Sequence, residues 1–239
     1  MENKTSDKIE IPIELHTGFG PFIMQMSITE DIKEDFNIIV EQINDFDKQD
    51  QFKFIKEEDD AIHQRLIMPF DVLKGYVDFF QQTMSAYLSM ARNNGAEVSN
   101  SWTVTFDDAY VAICKSGDFI HSRAGIQNQI SCFAILSTTD EELLSECEIM
   151  LSLAGSGSKF YKSRLKISPK VGDMYVFPSS LNISMKPIKA GLVFTDSGLA
   201  DENFEMRFFE GRLSISEKKT DEGWPLLHDG EAVLLEEEL

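Results

Sequence analysis

The chain has 239 residues, 42% of them hydrophobic, which is enough for one buried core of moderate size. Its net charge of −19 repels phosphate groups and anionic lipid, so the composition argues against nucleic acid and membrane surfaces as partners. The three cysteines cannot all pair, and neither a Cys-x-x-Cys pair nor an apolar run of about 20 residues occurs. We expect reduced thiols and small core positions at Cys114, Cys132 and Cys147, and the polar N-terminal residues predict no signal peptide.

Two strands are predicted near the N terminus. Residues 9–15 alternate around Pro12, which lacks a backbone N–H donor and therefore favours the edge of a sheet. A turn over residues 18–21 leads into a second strand over residues 22–28. We expect this pair to join the edge of a larger sheet.

Two amphipathic helices follow these strands. Thr29 is suited to cap the first helix, which has one apolar stripe and an acidic outer face. The second helix begins near Pro69, has a broad apolar face and ends at Asn93, Asn94 and Gly95. The stripe consists of Ile32, Phe36, Ile39, Ile43 and Phe46, and the broad face of Val72, Leu73, Tyr76, Phe79, Phe80, Met84, Tyr87, Leu88 and Ala91.

From Trp102 onward the pattern changes to short β-runs separated by turns. Two helices followed by seven or more short strands predict an α+β protein in which the helices brace one face of a β-sandwich or jelly roll. The most clearly marked strands cover residues 102–106, 110–114, 130–136, 160–167, 174–177 and 208–216, with a short helix within 137–147, an irregular loop over 189–206 and an acidic tail over 217–239.

The most informative stretch is KISPKVGDMYVFPSSLNISMKP, residues 166–187. Pro169 and Gly172 predict a tight turn, with Asp173 placed to cap it. Residues 174–177 form an apolar run that is typical of a strand with a buried face, and Pro178 ends it. The pattern alone predicts one hairpin of an all-β domain.

Three segments occur in succession, GDFIHSRAGIQNQISCFAIL, AGSGSKFYKSRLKISPKVGDMYVFPSSLNISMKP and GRLSIS. Their succession resembles the core of the 2-oxoglutarate and Fe(II)-dependent oxygenases, in particular the prolyl-4-hydroxylase-like members encoded by tailed bacteriophages. GFGPFIMQMSITEDIKEDFN resembles the entry strand and helix of those phage proteins. The resemblance implies a double-stranded β-helix (jelly-roll) core over residues 99–216, braced by N-terminal strands and helices over 9–98 and followed by an acidic tail over 217–239, in a single domain over 1–239.

The resemblance also implies where the family's site residues would lie. Members hold Fe(II) with two His and one carboxylate, the first two ligands being spaced as His-x-Asp or His-x-His, and an Arg pairs with the distal carboxylate of 2-oxoglutarate. An ungapped superposition of GDFIHSRAGIQNQIS puts Arg123 and Gly125 at the proximal ligand positions, and Ile183 falls at the distal one. None of the three is a useful iron ligand. Arg212 and Ser214 keep the family's Arg-x-Ser pattern, which implies a vestigial 2-oxoglutarate site.

A survey of the histidines agrees with this superposition. His16, His63, His121 and His228 are the four in the chain, and none is followed two positions later by Asp, Glu or His. The resemblance therefore implies a catalytically inactive oxygenase-like protein that binds neither Fe(II) nor 2-oxoglutarate and serves as a structural or interaction module, for example a phage virion component.

Two alternatives stay open. In the first, the protein is an active Fe(II) and 2-oxoglutarate-dependent hydroxylase with a rearranged metal site, in which His121 and Asp118 or a nearby carboxylate are ligands. In the second, it is a metal-free anion- or sugar-binding jelly roll with a pocket lined by Arg123, Arg212 and either Tyr110 or Tyr175.

The expected partner is a protein, either other virion proteins or a second copy of this chain. We expect the protein in the host cytoplasm or the virion. The loop over residues 189–206 and the acidic tail are the predicted docking elements, because loops on a rigid scaffold often form interaction surfaces.

Overall fold

The computed structural model of the chain describes residues 13–16, 21–43, 64–68, 73–96, 101–115, 118, 120–123, 129–153, 164–186, 194–195, 198–199, 204–217 and 235–238. At residues 13–16, 64–67, 120–123 and 235–238 the description covers the backbone only. No helix within the described ranges is both long enough and apolar enough to cross a membrane.

The secondary structure is dominated by strands. In chain order the elements are β1 (Ile13–His16), β2 (Ile23–Ser27), α1 (Glu30–Ile43), β3 (Gln64–Ile67), α2 (Val77–Asn93), β4 (Ser101–Lys115), β5 (Ile120–Arg123), β6 (Gln129–Thr138), α3 (Glu141–Glu146), β7 (Ile149–Leu153), β8 (Arg164–Ile167), β9 (Asp173–Pro178), β10 (Leu181–Met185), β11 (Phe194–Thr195), β12 (Gly198–Leu199), β13 (Glu205–Glu217) and β14 (Leu235–Glu238).

The strands form two large antiparallel sheets and one small hairpin. The first sheet has the order β1-β2-β9-β6-β13-β4, and β3 and β14 both pair with the outer edge of β4. The second sheet has the order β5-β10-β7-β8, and β11 pairs only with β12. The prediction of an antiparallel β core with a few helices is confirmed, as is the position of β1 and β2 at the edge of a larger sheet.

The two long helices pack on one face of the first sheet. The backbone N–H of Lys33 donates to the carbonyl of Thr29 at 3.1 Å, which places the start of α1 where the sequence predicted it. The predicted stripe is confirmed at the described positions Ile32, Phe36 and Ile39, all of which are buried. The ring of Phe209 on β13 lies between the two helices, 5.0 Å from the ring of Phe36 and 5.7 Å from that of Phe80, a spacing that favours ring packing.

A second apolar core lies between the two sheets. Phe133 and Phe208 from the first sheet pack with their ring centroids 5.0 Å apart. Leu151 and Ile183 from the second sheet belong to the same buried cluster. The molecule is therefore built in three layers, in the order helices, first sheet and second sheet.

The stretch at residues 166–187 corrects the predicted hairpin. The turn is as predicted, since Gly172 has a φ of 87° and the N–H of Asp173 donates to the carbonyl of Lys170 at 3.1 Å. However, β9 belongs to the first sheet and β10 to the second, so the two strands do not pair. The chain passes from the first sheet to the second at Ser179, which is buried. Its Oγ lies 2.7 Å from the Oγ of Ser131.

Other boundaries also differ from the prediction. The strands predicted at residues 102–106 and 110–114 are one continuous strand, β4, whose pairing with β13 shifts register between Arg212 and Leu213. The strand predicted from residue 208 begins at Glu205, and strands β3, β5 and β7 were not predicted. The stretch predicted as an irregular loop, residues 189–206, contains the paired strands β11 and β12. The predicted short helix is confirmed as α3, with the Asp140 carboxylate accepting from the N–H of Leu143 at 2.9 Å.

Several predictions lie outside the described residues. They are the strand positions 9–12, the turn positions 18–20, the helix start at Pro69, Phe46 and the strand positions 160–163. Of the acidic tail, residues 235–238 form β14 and pair with β4 of the same chain.

Candidate functional site

Two of the three predicted ligand positions are neighbours in the second sheet. In the antiparallel pair of β5 and β10, Ile183 lies directly opposite Arg123. The third position, Gly125, lies outside the described residues. His121, the alternative ligand, is on β5 two residues before Arg123, and only its backbone is described.

Ile183 faces the space between the sheets. Along β10 the side chains alternate, with Leu181, Ile183 and Met185 buried and the intervening residues half-buried. Ile183 is 5% exposed and packs within the apolar core between the sheets. The second sheet therefore presents an aliphatic side chain at the position where the resemblance implies a metal-binding histidine.

The predicted cosubstrate residues lie on the opposite wall, on β13 of the first sheet. Phe209 and Leu213 belong to the core under the helices, whereas Phe208 belongs to the core between the sheets. Because side chains alternate along a strand, Glu210 and Arg212 face the second sheet together with Phe208. Arg212 thus projects toward the sheet that contains Ile183.

Arg212 is held by two carboxylates of its own sheet. Its Nη1 donates to Oδ2 of Asp108 at 3.3 Å, and its Nη2 lies 3.8 Å from Oε1 of Glu210. The hydroxyl of Tyr110 donates to the other oxygen of the Glu210 carboxylate. Glu210 is only 3% exposed, so its contacts with Arg212 and Tyr110 compensate the loss of water around a buried charge. We call Tyr110, Asp108, Glu210 and Arg212 the inner polar cluster.

Ser214, the second residue of the Arg-x-Ser pattern, also contacts a carboxylate of β4. Its Oγ donates to Oδ2 of Asp107 at 2.6 Å. Across β13 and β4, Arg212 pairs with Asp108 while Leu213 pairs with Phe106, so Asp107 is the extra residue of a bulge. Two consecutive aspartates of β4 therefore contact both residues that the Arg-x-Ser pattern assigns to 2-oxoglutarate.

Sequence reasoning did not identify the three carboxylates of this region. Asp107 and Asp108 interrupt a run of apolar and aromatic residues, and Glu210 directly follows two phenylalanines. A carboxylate within an apolar strand needs a hydrogen-bonding or charged partner when it is buried. That pattern was the available signal, although it does not say which residue is the partner.

Three further residues were predicted to line a site, and each makes a hydrogen bond through its side chain: Tyr110, Tyr175 and Asp118. Tyr110 joins Arg212 at Glu210, whereas the hydroxyl of Tyr175 donates to Oδ2 of Asp173 at 3.2 Å. The backbone N–H of Lys115 donates to Oδ2 of Asp118 at 2.8 Å, in the turn after β4. Tyr110 and Arg212 are thus brought together by a carboxylate of the protein itself.

The cysteines are core residues, as predicted. Cys114, Cys132 and Cys147 are all buried and unbridged. Burial raises the pKa of the Cys132 thiol far above its ordinary value, and burial, aided by the charge of Glu146, raises the pKa of Cys147 to about 11. At neutral pH both thiols are therefore protonated.

Among the described side chains, no group of three or more Cys, Asp or Glu is arranged to hold a metal ion. The side chains of the four histidines, His16, His63, His121 and His228, lie outside the described part of the structure.

Comparison with known proteins gives a likeness in structure. No protein-family model and no curated protein sequence matches the chain. The non-heme alpha-ketoglutarate-dependent carbocyclase SnoK from nogalamycin biosynthesis is similar with a TM-score of 0.51 and 6% identity, over 84% of this chain and 83% of that one. A prolyl-4-hydroxylase from Pseudomonas putida gives a TM-score of 0.49 and 13% identity, over 80% of this chain and 91% of that one.

HygX from Streptomyces hygroscopicus, solved with nickel, 2-oxoglutarate and hygromycin B, gives a TM-score of 0.48 and 7% identity, over 82% of this chain and 83% of that one. At such low identity the similarity to SnoK concerns the fold alone. The fold of this chain resembles that of the 2-oxoglutarate and Fe(II)-dependent oxygenases, as its segments predicted.

Proposed function

We propose that the protein is a catalytically inactive relative of the 2-oxoglutarate oxygenases, retained as a structural or interaction module. The observation that carries this proposal is the packing of Ile183. It lies opposite Arg123 and 5% exposed, with its aliphatic side chain in the core between the sheets. A mononuclear iron site of this kind needs imidazole and carboxylate ligands at such positions.

The strand order supports a double-stranded β-helix as the underlying fold. The four strands β4, β6, β9 and β13 lie in one sheet, and β5, β7, β8 and β10 lie in the other. Among these strands the chain passes from one sheet to the other six times, namely β4 to β5, β5 to β6, β6 to β7, β8 to β9, β9 to β10 and β10 to β13. This alternation is what two antiparallel sheets wound from one chain require.

The charges around Arg212 support the absence of a bound cosubstrate. A guanidinium that recognises a carboxylate ligand needs free donors and a local excess of positive charge. Here Asp108 and Glu210 already contact the guanidinium of Arg212. Two like charges 4 Å apart repel by roughly 4 kcal/mol at a protein surface, so the carboxylate of 2-oxoglutarate would be opposed by these two residues.

A titration followed by thermal unfolding tests the lack of ligand binding. The protein is unfolded with and without a divalent metal, Fe(II) under anaerobic conditions or Mn(II) as its substitute, in combination with 2-oxoglutarate. We expect no change in Tm beyond that caused by the metal with succinate as the control anion. Stabilisation by 2-oxoglutarate that depends on the metal would overturn the proposal, because a ligand that binds the folded state raises its stability.

A variant with restored ligands provides the matched positive control. The triple substitution R123H/G125D/I183H introduces the His-x-Asp pair and the distal His at the superposed positions. We expect this variant to gain metal-dependent stabilisation that the parent chain lacks. The variant H121A tests the active alternative, which predicts 2-oxoglutarate-dependent succinate formation in the parent chain and its loss in H121A.

The role in a virion is the most specific part of the proposal. It is supported by the resemblance of the N-terminal and core segments to phage-encoded proteins. It predicts that the protein copurifies with assembled particles in stoichiometric amount. Recovery only in the soluble fraction, apart from the particles, would remove the virion role and leave the inactive fold unaffected.

A further inference from the structure

The outer face of the second sheet is basic, although the chain as a whole is strongly acidic. Arg164 and Lys166 on β8 point away from the core and are exposed. Lys186 follows β10 and is also exposed, and the carboxylate of Glu148 accepts hydrogen bonds from both lysines. The described charged side chains here are thus three cations and one carboxylate, in a chain with a net charge of −19.

Between these charges the outer face has uncharged side chains. In the register of β7 with its neighbours, Met150 lies between Lys166 and Ser184, and Ser152 lies between Arg164 and Asn182. Met150, Ser152, Asn182 and Ser184 are half-buried. The described helices α1 and α2 pack on the other sheet. We call this surface the basic face.

The opposite side of the molecule is acidic. Among the described side chains of α1, residues 30–41, the exposed ones are carboxylates except for Ile38, which is 53% exposed. The exposed carboxylates are Glu30, Asp31, Glu34, Asp35 and Glu41. Because the layers run from helices to first sheet to second sheet, this acidic face and the basic face lie on opposite sides of one molecule.

The two faces match in size as well as in charge. From Glu34 to Glu41 the helix extends about 10 Å, with Ile38 between them. On β8, Arg164 and Lys166 lie about 7 Å apart, within reach of two carboxylates on a helix that runs along the strand. Ile38 can then contact Met150 on the neighbouring strand while Glu34 and Glu41 lie near Arg164 and Lys166, which gives an apolar contact beside opposite charges.

We propose that the protein associates with itself head to tail, the basic face of one copy binding the acidic face of the next. This inference rests on the proposed structural role and gives it a partner, a second copy of the chain. A contact between two different faces is heterologous, so each copy leaves one face of each kind free and the assembly grows as an open chain.

Sedimentation velocity of the full chain over a wide concentration range tests the association. At about 0.15 M salt the Debye length is roughly 8 Å, so repulsion between the net charges of two copies is screened while charges in contact still attract. We expect the sedimentation coefficient to rise continuously with concentration, without a plateau at a dimer. A chain that stays monomeric throughout would overturn the proposal.

Variants that neutralise one face make the test specific. R164Q/K166Q removes the cations of the basic face, and E34Q/I38Q removes the centre of the acidic face. Each variant alone should be monomeric, whereas an equimolar mixture should form a one-to-one dimer and nothing larger, since one intact face of each kind remains. K74Q and E141Q are the control variants, each of which changes one exposed charge outside the two faces, K74Q just before α2 and E141Q on α3. Both should associate like the parent chain.

A further variant guards against loss of folding. R164Q/K166Q also removes the contact of Lys166 with Glu148, which can affect folding. The single variant S152E is therefore tested separately, because it adds a negative charge to the basic face and leaves that contact intact. S152E should weaken association at least about tenfold while keeping the Tm of the parent chain. Association that survives all three face variants, or a mixture that stays monomeric, would exclude this interface. A monomeric protein that also fails to bind iron and 2-oxoglutarate would remove the self-association alone.

Discussion

The two walls of the space between the sheets differ in chemistry. The first sheet contributes the inner polar cluster, in which Glu210 contacts both Tyr110 and Arg212. The second sheet contributes aliphatic side chains, with Ile183 opposite Arg123 of the neighbouring strand. The polar side chains of this cluster contact one another within one sheet, and the described inner side chains of the other sheet contribute packing. This division separates hydrogen bonding on one wall from apolar packing on the other, so each wall can be tested by its own substitutions.

The largest expected effect comes from removing the centre of the polar wall. Glu210→Ala leaves the Arg212 guanidinium and the Tyr110 hydroxyl without their shared acceptor in a buried position. Removing the buried member of an ion pair, here together with the hydrogen bond that it accepts from Tyr110, costs about 3–5 kcal/mol, and urea unfolding measures the loss. Glu205→Ala on the same strand is the control, because the Glu205 side chain is 22% exposed against 3% for Glu210, and the expected loss is below about 1 kcal/mol. Equal losses would show that the polar wall is not special.

The aliphatic wall is expected to be slightly less sensitive. Ile183→Ala should lower the free energy of unfolding by about 3 kcal/mol, because a buried isoleucine is replaced by a cavity between the sheets. Ile183→Val removes one methylene and should cost about 1 kcal/mol. If Ile183→Ala lowered the free energy of unfolding by less than Ile183→Val does, the second sheet would not pack against the first at this position.

The helix-facing side of β13 offers a third environment. At Gly211 an added Cβ would lie 2.9 Å from Cζ and 3.2 Å from Cε1 of Phe209, whose ring is fixed between Phe36 and Phe80. Gly211→Ala should therefore cost about 1–3 kcal/mol, as overpacking does in a filled core. Trimming the ring in G211A/F209L should restore part of this loss, so the double variant should be less unstable than the sum of the two single ones. Strict additivity would contradict the contact.

The smallest effect concerns the outer face of the second sheet and depends on pH. Hydrogen bonds from Lys166 and Lys186 lower the pKa of Glu148 to about 2. A carboxyl whose folded pKa lies below its unfolded value of about 4.3 stabilises the protein above that pH. This contribution is then lost as the pH falls toward 2. The difference in unfolding free energy between the parent chain and Glu148→Gln should accordingly shrink between about pH 5 and pH 2. A difference that is constant with pH would mean that the two lysines do not bind the ionised carboxylate.

Local patterns in the sequence predicted the local structure well. The stripe of α1, the turn at Gly172 and the buried run of β9 each follow from residues within a few positions of one another. The alternation of β10 was also visible, but it is the same for a strand in either sheet. The hairpin prediction was wrong because the sequence does not state which sheet a strand joins after Pro178.

The polar wall could not be predicted for a different reason. Ser214 and Asp107 are 107 residues apart in the chain, and Arg212 and Asp108 are 104 apart. Their contact depends on the register of β13 against β4 and on the bulge at Asp107, both of which are set by the whole sheet. The Arg-x-Ser pattern singled out Arg212, but the carboxylates that contact it are set by the tertiary structure.

The central position of β13 has a consequence for how the chain folds during synthesis. This strand lies between β6 and β4, yet residues 205–217 are made about 100 residues after β4. Until they emerge from the ribosome, β4 and β6 have no strand to join them, and the apolar faces of α1 and α2 lack Phe209. Completion of the first sheet must therefore wait for residues 205–217, and chains that lack them expose apolar surface to chaperones and to aggregation.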